Sequence, residues 1–352
     1  MFFIKPCFHC VVGIERYLSR VIWMSSWQKE QYFHYHDVVY FDTTFCTNKF
    51  KYPLAALIGM DGFGRTVVFA LALLKDETCE SFEWLFESIL LAVPVAPKII
   101  FTDEDLAMKK AIEKVFPDAK HRLCAWHLER NLKKKVLAIL GAKVYEEMRG
   151  HFWNLVQNCK GEQYVQEQFE NMYKLCKIDN KVNANAVAAV DYLVDREEYW
   201  VKHHSRSLLH FDQTSTSRAE SMNSLIKRTI KKNCKHLDVF IKELNAALTN
   251  EQEAVRGVLE YNAVVKQRIA VSQYPFCHAY PKNLTPFAIR KIEDEVRFIS
   301  HNMCYYEWNK DNRGFRVRYH KDNTERIYAV TVDEKNYPKH CSCGHVNTWG
   351  LP

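Results

Sequence analysis

Three closely spaced runs constrain the fold more than any other feature: Val38–Thr44, Leu54–Met60 and Thr66–Leu74, each rich in aliphatic, β-branched or aromatic residues. Asp61-Gly62-Phe63-Gly64 lies between the second and third and supplies the glycine-containing turn of a hairpin. These runs predict three antiparallel strands. Residues 81–92 then place Phe82, Leu85, Phe86, Ile89 and Leu90 at helical spacing, and Pro94 and Pro97 stop that helix before a short apolar run at 98–102. A second helix is predicted over 104–115, ending at Pro117, and a short strand over 121–124. This order predicts an α/β fold with a mixed five-stranded sheet flanked by helices.

After residue 126 the pattern changes. From Trp126 to about Tyr199 the periodicity is helical, with few Gly and no Pro, which predicts a large all-helical insertion. Helices resume at 217–232 and 237–265, and the alternation at 315–319 and 326–332 predicts a β-hairpin. The expected organisation is therefore a lead-in at 1–37, the first part of the core at 38–125, the helical insertion at 126–215, completion of the core with C-terminal helices at 216–300, and a small β segment at 301–352.

Composition removes several classes. With 47% hydrophobic and 26% charged residues the chain can bury a core, so disorder and coiled coil are excluded. No apolar run approaches the roughly 18 to 20 residues that span a bilayer, so no membrane association is expected. The N-terminal segment lacks the features of a signal peptide. The 12 cysteines are mostly single and dispersed, which suits reduced thiols. A net charge of +7 permits nucleic-acid binding if the positive charge clusters.

Three carboxylates stand where chemistry is plausible. Asp42 interrupts an apolar strand, where a buried charge needs a partner or a metal, although a strand-end Asp bonded to nearby backbone is the plainer alternative. Asp103 ends the run Ile99-Ile100-Phe101-Thr102, at the strand end where open α/β sheets place their sites. It could equally cap the next helix, and Asp105 is a rival carboxylate. Glu220 completes Ser217-x-x-Glu220, a capping-box spacing. It also heads a stripe of Glu220, Asn223, Lys227 and Lys231, opposite Met222, Leu225, Ile226 and Ile230. Arg228, Lys232 and Lys235 add positive charge with no acid between Ser221 and Leu237, a face suited to phosphates or simply to solvent. A second basic cluster, Lys133, Lys134 and Lys135 with Arg122 and Arg130, surrounds Cys124-Ala125-Trp126-His127. Cys124 and His127 can share a helical turn, but a structural zinc site needs about four ligands, and His121 is the only evident addition.

Several motifs in order carry a resemblance. Phe41-Asp42-Thr43-Thr44-Phe45, Asn48-Lys49-Phe50, Asp61-Gly62-Phe63-Gly64-Arg65, Glu80-Ser81-Phe82-Glu83-Trp84, Phe101-Thr102-Asp103, Phe116-Pro117-Asp118-Ala119 and His121-Arg122-Leu123-Cys124-Ala125-Trp126-His127 resemble the Mutator-like (MULE) transposase domain over about residues 23–135. Thr216-Ser217-Arg218-Ala219-Glu220-Ser221-Met222-Asn223-Ser224 is similar to the segment that supplies the family's third acid. Within this superfamily the chain looks most like the plant far-red-impaired-response group of transcription regulators, domesticated from such transposases.

The resemblance implies an RNase H-like fold with a DDE triad of Asp42, Asp103 and Glu220 binding Mg²⁺ or Mn²⁺, metal-dependent DNA strand cleavage and strand transfer, and homo-oligomers when active. It implies that Cys124 and His127 help position DNA rather than form a zinc finger; the basic stripes that carry Lys133, Lys134, Asn223, Lys227, Arg228 and Lys231 are expected from their charge to hold the DNA backbones. Its alternative outcome is a nuclear DNA-binding regulator that keeps the fold without catalysis. Family members carry an N-terminal zinc-binding module and end in a SWIM zinc finger. Cys7-Phe8-His9-Cys10 is a weak echo of the first, while Cys341-Ser342-Cys343 and Trp349-Gly350-Leu351-Pro352 resemble the start of the second. Cys341 and Cys343 give only part of a Zn²⁺ site unless His340 or His345 substitutes, so the chain is expected to be a truncated copy, a partial gene model or a fragment, cut short at both ends.

Overall fold

The computed structural model describes residues 7–12, 18–44, 52–158, 161–178, 181–208, 210–211, 213–216, 218–222 and 224, scattered positions between 239 and 257, and then 285–301, 304–309, 314–321, 324–332 and 338–342. Its centre is a seven-stranded mixed sheet. In chain order the strands are β1 (Cys7–Val12), β2 (Leu18–Met24), β3 (Val38–Thr44), β4 (Leu54–Met60), β5 (Thr66–Leu74), β6 (Ile99–Thr102) and β7 (Lys120–Leu123). Their order across the sheet is β1-β2-β5-β4-β3-β6-β7. The expected five-strand count is thus corrected. Residues before 38 contribute β1 and β2, which extend the sheet beyond β5, as well as α1 (Ser26–Tyr35).

β3, β4 and β5 form the antiparallel meander predicted from their apolar and β-branched runs, with the Asp61 turn joining β4 to β5. Asp61 Oδ1 accepts the backbone N–H groups of Phe63 and Arg65, both at 2.9 Å, and Gly64 takes φ +76°, a conformation that favours glycine. α2 (Cys79–Ala92) then crosses to β6, which pairs with β3 in parallel, and α3 (Leu106–Val115) leads to β7, parallel to β6.

Alternation gives the sheet two different faces. Val39, Phe41 and Ile100 face Tyr32 of α1, Phe82, Phe86 and Ile89 of α2, and Met108 and Ile112 of α3. Val38, Tyr40, Ile99 and Phe101 face the opposite way, with Ala219, Met222, Leu244 and Leu248 in the same buried cluster. Sheet and helices therefore bury apolar surface on both sides, worth about 25 cal/mol per Å² removed from water.

The region after β7 is predominantly helical, as its periodicity predicts. It contains α4 (Ala125–Gln157), α5 (Glu162–Leu175), α6 (Ala184–Val194), α7 (Glu197–Trp200) and α8 (Lys202–Ser205). Leu128, Leu132, Phe152, Phe169, Val190 and Trp200 belong to its own core. Two features differ from expectation. A small antiparallel pair, β8 (Lys177–Ile178) with β9 (Lys181–Val182), interrupts the helices, and Gly141 breaks α4 with φ 80° and ψ 168°. Further on, a helix at Pro286–His301 precedes a four-stranded antiparallel sheet of β10 (Cys304–Asn309), β11 (Gly314–Lys321), β12 (Thr324–Val332) and β13 (Pro338–Cys341). The predicted hairpin is its central pair, β11 and β12.

Candidate active site

The parallel junction of β3 and β6 is a switch point. From β3 the chain runs out to β4 and β5, then crosses by α2 to β6 on the other side. Such junctions leave a crevice at the carboxyl ends of the strands. Val38 pairs with Ile99 and Tyr40 with Phe101, the last pair of this parallel ladder; Asp42 stands two residues beyond Tyr40 on β3, and Asp103 two beyond Phe101, just past the end of β6. Neighbouring strands lie about 4.8 Å apart. Because facing alternates along a strand, Asp42 follows Tyr40 onto the side where Phe101 also packs, and Asp103 is the first residue after β6. The rings of Tyr40 and Phe101 stack there with centroids 5.5 Å apart.

Glu220 belongs to that side. Its neighbours Ala219 and Met222 are buried in the cluster of Tyr40 and Phe101. Arg218 holds the same helical turn onto the β4–β5 hairpin, donating from Nη1 to the Gly64 carbonyl at 3.1 Å and to Thr66 Oγ1 at 3.2 Å. The segment before it is bonded to the start of α4: Ala125 N–H donates to the Thr214 carbonyl at 2.9 Å, and Thr216 N–H donates to Cys124 Sγ at 3.2 Å. The Thr216 hydroxyl donates to Glu220 Oε1 at 3.3 Å, and His127 Nε2 lies 3.8 Å from that oxygen. Ser217, the expected capping residue, lies outside the described residues, as do Asn223, Lys227, Arg228 and Lys231.

The two roles open to Asp103 and Asp105 separate. Asp105 caps α3, accepting the Met108 N–H at 2.8 Å, while Asp103 Oδ1 accepts the Asp105 N–H at 3.1 Å and is not itself the cap. Burial raises the pKa of Asp103, reinforced by Asp105 and Glu104, against the opposing pull of the Asp105 N–H and nearby His127. Glu77, which accepts the Thr43 hydroxyl, is also raised by burial, with Asp103 and Asp105 adding to the effect. Sequence reasoning had missed Glu77; its signal is tertiary. Asp103 and Glu77 are thus partly desolvated carboxylates that feel each other's charge near the ends of β3 and β6, but Asp42, Asp103 and Glu220 do not come together as one group of metal-capable side chains among the described residues.

Cys124 and His127 do share a turn, Cys124 as the residue preceding α4 and His127 within its first turn. Burial raises the Cys124 thiol, while the Thr216 and His127 N–H groups pull it down. His121, the one evident candidate for a further ligand, is 2.7 Å from Thr102 Oγ1 through Nε2 and is not in the one group of metal-capable side chains found among the described residues. That group is Cys124, His127 and Glu220.

The basic cluster divides. Arg122 is buried on β7 and donates to the carbonyls of Glu198 at 2.6 Å and Val201 at 3.0 Å, fastening the sheet to the helical region instead of facing a ligand. Lys133, Lys134 and Arg130 are exposed on α4. Arg130 lies over Trp126, 5.3 Å from its centroid, and Lys133 lies over Tyr145 at 5.6 Å. Trp126, Arg130, Lys133, Tyr145 and Arg149 line a cavity of about 490 Å³, together with Glu129 and Glu146. Glu104, next to Asp103, accepts from Asn131 of α4 at 2.8 Å and from the Tyr192 hydroxyl, so the helical region is tied to the loop that carries the acid. Cys341 is buried at the end of β13, while Cys343 lies outside the described residues. No helix among the described residues is long and apolar enough to cross a membrane.

Comparison with known proteins gives the same direction. The chain is 26% identical to Protein FAR1-RELATED SEQUENCE 4 of Arabidopsis thaliana over 65% of its own length and 30% of that protein. It is 28% identical to Protein FAR1-RELATED SEQUENCE 5 over 70% of its length and 30% of that protein. With Protein FAR-RED IMPAIRED RESPONSE 1, the identity is 24% over 80% of this chain and 33% of the relative. All three are from Arabidopsis thaliana, and the chain matches about a third of their length. Residues 38–131, the stretch that holds Asp42, Asp103, Cys124 and His127, match the family model of the MULE transposase domain.

Proposed function

We propose that this chain is the core of a MULE-type DDE transposase with an RNase H-like fold, built for metal-dependent DNA strand cleavage and strand transfer. The observation that carries this reading is the parallel pairing of β3 with β6, which brings the strands of Asp42 and Asp103 side by side in the sheet whose Tyr40 and Phe101 face also buries the helical turn of Glu220. In this reading 38–125 and 216–300 are two parts of one core, 126–215 is an insertion, and 301–352 begins a SWIM-type module.

Asp42, Asp103 and Glu220 would hold Mg²⁺ or Mn²⁺. When bound, such ions supply electrostatic stabilisation to the attacking and leaving oxygens of a phosphodiester. The chain's own groups do the rest. Thr216 and His127 orient the Glu220 carboxylate, and the tie from Glu104 to α4 keeps the loop of Asp103 in place. Lys133, Lys134 and Arg130 neutralise backbone phosphates, a contribution that weakens as salt rises.

A second reading is a domesticated transposase acting in the nucleus as a DNA-binding transcription regulator, without catalysis. Similarity to proteins named for far-red response favours it. Nicking of supercoiled plasmid in Mg²⁺ or Mn²⁺ separates the two. Metal-dependent nicking that drops to background in Asp42→Asn, Asp103→Asn and Glu220→Gln supports the enzyme. A folded chain that binds DNA but does not nick it supports the regulator.

A further inference from the structure

Sγ of Cys124, a ring nitrogen of His127 and a carboxylate oxygen of Glu220 all lie within 4.8 Å of one another. The three come from two separated parts of the chain. Cys124 and His127 bracket the first turn of α4, whereas Glu220 arrives on another helical segment through the bond between Thr216 N–H and Cys124 Sγ. His127 Nε2 is 3.8 Å from Glu220 Oε1, and its Nδ1 is buried with no hydrogen-bond partner among the described residues. A buried imidazole nitrogen without a partner is costly in an ordinary packed interior.

The chemistry of this set differs from that of the acids beside it. Asp42, Asp103 and Glu77 offer only oxygen and suit Mg²⁺. Sulfur, imidazole nitrogen and carboxylate oxygen together suit a borderline cation, and three protein ligands leave one position open in a tetrahedral shell. With metal–ligand distances of about 2.0 to 2.3 Å, tetrahedral geometry puts ligand atoms roughly 3.3 to 3.8 Å apart. For an imidazole nitrogen and a carboxylate oxygen the range is roughly 3.3 to 3.6 Å, so the 3.8 Å His127–Glu220 separation and the rest of the set close with a side-chain adjustment of the order of 1 Å.

We propose that Cys124, His127 and Glu220 form a Zn²⁺ site with one open coordination position, filled by water or by a phosphate oxygen. On binding, the Cys124 thiol releases its proton to solvent and coordinates as thiolate, while His127 coordinates in its neutral form. The site uses Glu220 jointly with the triad proposed above, and its existence does not depend on whether that triad cleaves DNA.

Titration of the full 352-residue chain with Co²⁺, followed by competition with Zn²⁺, tests this in the absence of DNA and Mg²⁺. The expected result is a tetrahedral Co²⁺ spectrum with a thiolate-to-cobalt charge-transfer band that Zn²⁺ abolishes. A chain carrying Cys341→Ser and Cys343→Ser keeps the band, Cys124→Ser loses it, and His127→Gln and Glu220→Gln each weaken binding by about 100-fold or more. Circular dichroism establishes that each variant is folded; if Cys124→Ser does not fold, the His127 and Glu220 variants decide the matter. Equal spectra and affinities in wild type and folded His127→Gln and Glu220→Gln chains overturn the proposal. Plasmid nicking without this spectrum overturns the zinc site and leaves the transposase reading intact, whereas the spectrum without nicking does the reverse.

Discussion

The backbone N–H of Thr216 donates to the buried thiol of Cys124 across 3.2 Å, joining the residue that opens α4 to the segment that delivers Glu220. Thr216 is itself fully buried, so no solvent replaces the bond if the sulfur is removed. Cys124→Ala should cost about 1 to 3 kcal/mol, the penalty of an unsatisfied buried donor. Cys124→Ser retains an acceptor and should cost clearly less. Urea denaturation of the three proteins checks the order, and an alanine variant as stable as wild type would remove this bond from the account.

His121 should make the fold sensitive to acid. Burial, with Lys109 and Arg122 nearby, lowers its pKa from 6.5 to about 4. In the unfolded chain the imidazole takes up its proton near pH 6.5, while in the folded chain it remains neutral until about pH 4. Stability contributed by neutral His121 is therefore complete above about pH 6.5 and declines as pH falls towards 4, by on the order of 3 kcal/mol. Unfolding free energies measured across this interval should show the slope in wild type and a shallower one in His121→Gln.

Asp103 should cost stability in order to be useful. Its carboxylate is disfavoured by burial and by Asp105 and Glu104, yet Asn keeps the oxygen that accepts the Asp105 N–H. Without divalent metal, Asp103→Asn should raise the melting temperature by a few degrees. Wild type should gain stability on adding Mg²⁺ or Mn²⁺, and the variant should gain much less. Thermal scans with and without metal read both effects, and a variant less stable than wild type would contradict the first.

Gly59 on β4 is required by its neighbour. A Cβ there would stand 2.0 Å from Phe69 Cζ, and Phe69 is fully buried with its ring edge-on to Tyr32. Gly59→Ala should destabilise the sheet by about 1 to 3 kcal/mol through overpacking. Adding Phe69→Leu should recover part of that loss, because the two sites share one space. Denaturation of both single variants and the double variant measures the coupling.

The sequence made the sheet's centre readable because β3, β4 and β5 carry their own signals: β-branched and apolar runs separated by Asp61-Gly62-Phe63-Gly64. Leu18–Met24 has no such frame. It becomes a strand by pairing Trp23 with Leu71 and Arg20 with Leu74, partners supplied from half a hundred residues downstream. Asp42 and Asp103 could be picked out locally, one interrupting an apolar strand and the other ending an apolar run, but the parallel pairing of β3 with β6 that brings their strands side by side is created only by the crossover through α2. Arg122 misled for the same reason. In sequence it stands among basic residues, and only the docking of α7 and α8 turns it inward to two carbonyls. The approach of Glu220 to Cys124 and His127 had no local signal at all, because it rests on Thr216, Arg218 and the packing of Ala219.

The break at Gly141 changes what α4 is mechanically. A straight helix of 33 residues would be a rod of about 50 Å, anchored at one end and free to sway at the other. Instead the chain doubles back at one residue, and the returning arm reaches the first: the Tyr145 hydroxyl donates to Glu129, and Arg149 Nε lies 3.3 Å from the same carboxylate. The arm carrying Trp126, Arg130 and Lys133 is therefore a propped beam, held along its length and not at its root alone. A load applied there, such as a length of bent polyanion pulling outward, is shared with the second arm before it reaches the sheet. A side chain at position 141 would have free space, but its φ of +80° disfavours every L residue, so the prop depends on a residue that touches nothing.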